Sequence, residues 1–95
     1  LNIMFKDKND LVSMLNEIAG YERGFKQQAF SNAATSIAVL SNKEFEEAVE
    51  NNKVQSLPGV GKSIKSCIEE YIETGTITRL ENYRSSGSLK IPDFS

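Results

Sequence analysis

The stretch Leu57-Pro58-Gly59-Val60-Gly61-Lys62-Ser63 constrains this chain more than any other. It holds one of the two prolines and two of the six glycines. Pro58 fixes its own φ and biases Leu57 away from helix. Gly59 and Gly61 permit positive φ, and without a Cβ they let another backbone come close. A helix-period segment over residues 64–74 follows directly. The stretch therefore reads as a tight turn that launches a helix. The amides of Val60, Gly61, Lys62 and Ser63 are then expected to be free at the positive end of the helix dipole. Such donors form an anion site, and phosphate is the natural guest. Taken alone, Gly59-Val60-Gly61 leaves open a bare helix–turn–helix corner that binds nothing.

The surrounding periodicity predicts an all-α fold. Asn9 or Asp10 can cap a first helix whose apolar stripe is Leu11, Met14, Leu15 and Ile18. Gly24 marks the turn after it. A second helix over residues 25–40 turns Phe30, Ala33, Ala34 and Ile37 inward, and its alanines suggest close packing. Ser41 and Glu44 fit a capping box that opens a short third helix, with Phe45, Ala48 and Val49 inward. Glu44, Glu46, Glu47 and Glu50 form its solvated face. The fourth helix carries Ile64, Cys67, Ile68, Tyr71 and Ile72, and Gly75 suits its C-terminal end. Thr78 with Glu81 can cap a short fifth helix holding Leu80. Ser85-Ser86-Gly87-Ser88 reads as a linker. The expected organisation is a strap over residues 1–8, a small bundle of four to five helices over 9–84, and a linker or extended tail over 85–95.

Composition removes several function classes. The chain has 95 residues, enough for one small core. It has no histidine and one cysteine, which excludes a structural zinc site and an internal disulfide. This usage fits a reducing, intracellular setting. No apolar run approaches the roughly 20 residues of a membrane span. The start on Leu1 suggests an excised piece of a longer chain. Net charge is −2, with six basic and eight acidic groups in residues 1–53 and five of each in 54–95. Binding to nucleic acid through bulk charge is not expected; any such contact must be local and geometric.

These residues resemble a known family. Leu57-Pro58-Gly59-Val60-Gly61 with Ile64 and Ile68 resembles a helix-hairpin-helix motif. The longer run over residues 57–81, with Ile68-Glu69-Glu70-Tyr71-Ile72-Glu73-Thr74-Gly75 and Leu80-Glu81, is similar to the N-terminal domain of family X DNA polymerases, the group of polymerases beta and lambda. Met14-Leu15-Asn16-Glu17-Ile18-Ala19 and Phe25-Lys26-Gln27-Gln28-Ala29-Phe30 resemble that domain's first two helices. The resemblance covers residues 10–84.

The resemblance implies a DNA-binding domain for gapped or nicked DNA, part of a repair polymerase whose nucleotidyl-transfer residues lie in another domain. It implies hairpin amides on a DNA phosphate, at Gly59, Val60, Gly61, Lys62 and Ser63. Lys65 and Lys26 are further phosphate candidates. It also implies a monovalent cation, Na or K, on the backbone carbonyls of Gln55, Leu57 and Val60. In polymerases beta and lambda the same domain is a lyase that acts through a Schiff-base lysine. That position here is Cys67, and the family's helper lysine is Ser63. At about 100° per residue, Lys65 and Lys62 lie roughly 160° and 140° around the helix from Cys67. Binding without lyase chemistry is therefore expected. A lyase with a relocated lysine such as Lys26, and a protein-interaction role built on the acidic third helix, stay as alternatives. No membrane partner is expected.

Overall fold

A computed structural model describes the backbone of residues 8–90 and the side chains of residues 8–85. Five helices follow in order: α1 (Lys8–Tyr21), α2 (Gly24–Ala38), α3 (Asn42–Glu50), α4 (Lys62–Thr74) and α5 (Thr78–Lys90). A short 3₁₀ turn, Val54–Ser56, precedes the hairpin. Among the described residues there is no strand, as the helical periodicity requires.

Each apolar stripe closes on one core. Leu11, Leu15 and Ile18 of α1 meet Phe30, Ala33, Ala34 and Ile37 of α2, and Ile64, Cys67, Ile68 and Tyr71 of α4 complete the interior. Helices α1 and α2 form the main pair, and α5 packs on α1 and α4. Val54, Val60 and Ile77 are also buried. They sit in or beside turns, where no helical period marks them. In α3 only Phe45 is fully buried; Ala48 and Val49 are half-buried.

The caps follow from side-chain chemistry, with corrections. Ser41 and Glu44 form the expected reciprocal box: Glu44 N donates to Ser41 Oγ at 3.0 Å, and Ser41 N donates to Glu44 Oε1 at 2.8 Å. Gly75 adopts φ 82° at the end of α4. Helix α1 begins at Lys8, so Asn9 and Asp10 lie inside its first turn rather than capping it. Asp10 instead accepts the Tyr71 hydroxyl at 2.9 Å, tying α1 to α4. Thr78 is likewise already inside α5, where its amide and hydroxyl both donate to the carboxylate of Glu70. A carboxylate from α4 thus serves the α5 N-terminus, in place of a Thr78–Glu81 box. The α5 backbone stays helical to Lys90, so Ser85-Ser86-Gly87-Ser88 is helix rather than linker. The strap falls outside the described residues except for Lys8. The buried Lys8 ammonium donates to the Ala38 carbonyl at the C-terminus of α2, a favourable place for a cation.

A carboxylate cluster locks α5 to α1. Arg79 donates to Glu22 through Nη2 at 2.7 Å and Nε at 3.1 Å, and the Tyr83 hydroxyl joins the same oxygen. Tyr83 also stacks on Tyr21, with ring centroids 5.0 Å apart and 4° between planes. Arg84 pairs with Glu17 beside it at 2.7 Å. Burial would raise the Glu22 carboxyl, but the Tyr83 and Arg79 hydrogen bonds outweigh it and hold the group below the ordinary value of 4.5. A depressed folded value means stability present above the unfolded titration and lost as pH falls through the folded one. The Glu22 side chain is 8% exposed and Arg79 30%, so solvent screens the pair in part. Glu22→Gln is expected to lower stability at pH 7 by about 1–2 kcal/mol in urea denaturation. The same variant should lose less stability than the parent as pH falls below the ordinary carboxyl value of 4.5, through the lowered folded titration of Glu22.

Candidate nucleic-acid interface

The hairpin is built onto α2. Gly59 takes φ 82°, and a Cβ there would stand 3.0 Å from Asn32 Cβ and 3.3 Å from the Ala33 amide nitrogen. Ser36 Oγ donates to the Pro58 carbonyl at 2.6 Å, one turn further along α2. The turn closes on itself through Val60 N donating to Leu57 O at 3.1 Å, and Leu57 N donating to Val54 O at 3.1 Å. Val60 then buries its side chain in the core.

This geometry corrects the expected donor set. The Val60 amide is spent on Leu57 and is not free for an anion. Gly61 is the N-cap of α4, with φ −96° and ψ −169°, so it needs no positive φ. Being glycine, it offers no side chain to cap the helix, and no side-chain cap is present. The first intrahelical bond runs from Lys65 N to Gly61 O at 2.9 Å. The outward amides are therefore those of the N-cap and first turn: Gly61, Lys62, Ser63 and Ile64. A Cβ on Gly61 would meet nothing within 4 Å. The two glycines thus differ in kind. Gly59 is required by its own fold, whereas the open space at Gly61 faces outward.

A cleft of about 380 Å³ opens at this point, lined by Lys26, Ala29 and Phe30 of α2, Gly59 and Gly61 of the hairpin, Lys62, Ser63 and Ile64 of α4, and Arg79 of α5. It brings together most of the residues singled out from the sequence, with three cationic side chains around the α4 N-terminus. Lys26 and Lys62 are exposed. Arg79 lies over the Phe30 ring, 5.2 Å from its centroid, and is anchored by Glu22. Arg79 escaped the sequence reading because no local pattern ties it to a turn that ends eighteen positions upstream, at Gly61. Its place on α5 facing the hairpin is set by the Glu22 pair.

Gln55, Leu57 and Val60 do not line the cleft, and Lys65 and Cys67 lie away from it as well. Lys65 does not line the cleft; its ammonium pairs with Glu69 one turn along α4, at 3.4 Å. Its side chain is 26% exposed, reaching outward as a lysine on a packed helix must. Cys67 is 7% exposed and belongs to the core cluster. Burial pushes its thiol up from 9.0; Arg79 pulls the other way and Glu70 adds to the rise. The thiol is a packing group, as its place on the apolar stripe suggests.

A fold of this topology around a glycine hairpin defines a class. The helix-hairpin-helix domain family model matches residues 6–77, most of the chain. The chain belongs to the helix-hairpin-helix domain family. Domains of this family commonly bind DNA, which makes DNA the general class of partner. No solved structure matches the chain.

The glycine pair gives a sharp contrast for measurement. Gly59→Ala forces an L-residue to positive φ and into the α2 backbone, with an expected loss of about 1–3 kcal/mol in urea denaturation. Gly61→Ala meets open space and is expected to cost less than about 1 kcal/mol, the difference between glycine and alanine as an N-cap.

Proposed function

We propose that this domain grips the sugar-phosphate backbone of DNA at gaps or nicks, holding the downstream 5′-phosphate, as the N-terminal domain of a family X repair polymerase. The observation that carries the reading is the cleft: uncapped α4 amides at Gly61, Lys62 and Ser63, ringed by Lys26, Lys62 and Arg79. Amides and cations placed this way match phosphate oxygens and cannot read base edges. A terminal phosphate carries more charge than a bridging one and gains more from three cations around one helix N-terminus. Phe25, 93% exposed beside Lys26, offers a ring face to an unpaired base at such a junction. The resemblance over residues 10–84 supplies the family X part of the reading.

The same reading assigns a monovalent cation to the carbonyls of Gln55, Leu57 and Val60. Neutral oxygen donors suit a hard cation, and the Val60–Leu57 hydrogen bond closes the turn that carries them. A cation held by those carbonyls would add positive charge to the hairpin. Polymerisation belongs to another domain of the parent chain, acting at intracellular sites of DNA repair.

Lyase chemistry is not part of the proposal. A Schiff base needs a neutral amine in a desolvated or cationic pocket. The residue at the family position is the buried thiol of Cys67. Lys65 is held by Glu69, and Lys26 and Lys62 are exposed.

Fluorescence anisotropy with gapped DNA tests the grip. Binding is expected to be tighter with the 5′-phosphate present. Lys26→Ala and Lys62→Ala should each weaken it about three- to tenfold and flatten its salt dependence. Gly61→Val should weaken it while leaving the fold intact. Equal and very weak binding to both DNAs, unchanged by Gly61→Val, overturns the reading. Borohydride trapping on an incised abasic duplex is expected to give no adduct.

A further inference from the structure

Glu22 does not line the basic cleft, yet it sets how one of the cleft's cations is held. Arg79 gives Glu22 the side of its guanidinium, through Nε at 3.1 Å and Nη2 at 2.7 Å. Among the described residues nothing takes Nη1. The end-on edge, made by Nη1 and the second N–H of Nη2, is therefore left for a ligand. Arg79 itself lines the cleft with Gly61, Lys62 and Ser63. Its guanidinium is pinned between the Glu22 carboxylate and the Phe30 ring, 5.2 Å from the ring centroid. Lys26 and Lys62 are exposed, and among the described residues no such clamp holds either one. The cleft thus combines two mobile cations with one fixed cation. The fixed one is also neutralised by its partner, so it adds little to the general attraction of DNA.

We propose that Glu22 is a positioning residue that makes the cleft prefer a terminal phosphate to a phosphodiester, by presenting the open edge of Arg79 at one fixed place; this rests on the phosphate-gripping reading of the cleft. The open edge is a two-donor fork that matches two phosphate oxygens. A terminal phosphate has three unbridged oxygens and more charge, so it has an oxygen more to share among the α4 amides, the fork and a lysine. A diester has two and gains less from a donor held at one point. A freed Arg79 would instead follow any phosphate along the strand and lose the distinction. The consequence runs against simple charge counting. Removing an acid beside the cleft leaves more positive charge there, which should help every DNA. Positioning predicts a loss confined to DNA that carries the terminal phosphate.

The test compares two gapped DNAs by fluorescence anisotropy, one ending in a 5′-phosphate and one in a 5′-hydroxyl. The ratio of the two Kd values is the preference, read at a temperature where melting curves show each variant folded. Glu22→Gln is expected to lower the ratio about three- to tenfold, with the 5′-hydroxyl DNA bound at least as tightly as by the parent. Arg79→Gln should lower it as much, and the double variant no further, because Glu22 acts through Arg79. Glu22→Asp keeps the charge and shortens its reach by one methylene, so an intermediate ratio is expected. Glu17→Gln is the matched control. It breaks the Arg84 pair, which also ties α5 to α1 at 2.7 Å, but Arg84 does not line the cleft. Its ratio should equal the parent's. An unchanged ratio in Glu22→Gln, an equal fall in Glu17→Gln, or a further fall in the double variant each overturns the proposal and leaves the phosphate grip standing. A ratio of one in the parent overturns the grip itself, and the proposal with it.

Discussion

The seating of the hairpin on α2 is the contact on which the rest depends. Gly59 packs against the backbone at Asn32 and Ala33, and Ser36 holds the Pro58 carbonyl. A side chain at position 59 would push the loop away from α2. The alanines Ala33 and Ala34 keep that face of α2 low, so two backbones can meet there. Once the loop is seated, the direction of α4 is fixed, and its N-terminus opens beside Lys26 and Phe30. The cleft is therefore a product of packing between small residues.

The second constraint is the carboxylate of Glu22. It sits in the turn after α1 and gathers Arg79 and Tyr83 from α5. Desolvation opposes its charge, yet the hydrogen bonds prevail and the group stays ionised. The consequence for the cleft is positional. Arg79 is held in place over Phe30 before any ligand arrives, so little side-chain entropy remains to be lost. Glu22 also lies close enough to Lys26 for their charges to interact. One largely buried acid thus fixes Arg79, one of the three cations that face the α4 N-terminus.

The domain is mildly acidic, yet its charge is sorted. Cations converge where the helix dipole is positive, and acids collect along α3 and the later turns of α4. Net charge alone would describe neither surface. Local arrangement decides which molecules each face can meet, because screening limits exposed charges to roughly a Debye length of about 8–10 Å.

Much of this was legible in the chain. The helical stripes, the Ser41–Glu44 box, the Gly75 end of α4 and the core place of Cys67 all follow from period and cap chemistry, which act within a turn or two of sequence. The hairpin was legible for the same reason, since Pro58 restricts its own backbone and Gly59 permits the positive φ of the turn. What sequence could not assign were interactions across the fold. Asp10 and Thr78 look like caps, but partners from α4 (Tyr71 and Glu70) claim them. Ser85-Ser86-Gly87-Ser88 looks like a linker by composition, yet the backbone continues as helix. The Val60 amide looks free, but the turn itself uses it. Arg79 carries no local mark at all, and only the packing of α5 on α1 brings it to the cleft. Residue types and their spacing determined an all-α helix-hairpin-helix domain in which a glycine turn launches α4. Tertiary structure decided which amides and cations face that opening, because those choices rest on contacts between residues far apart in the chain.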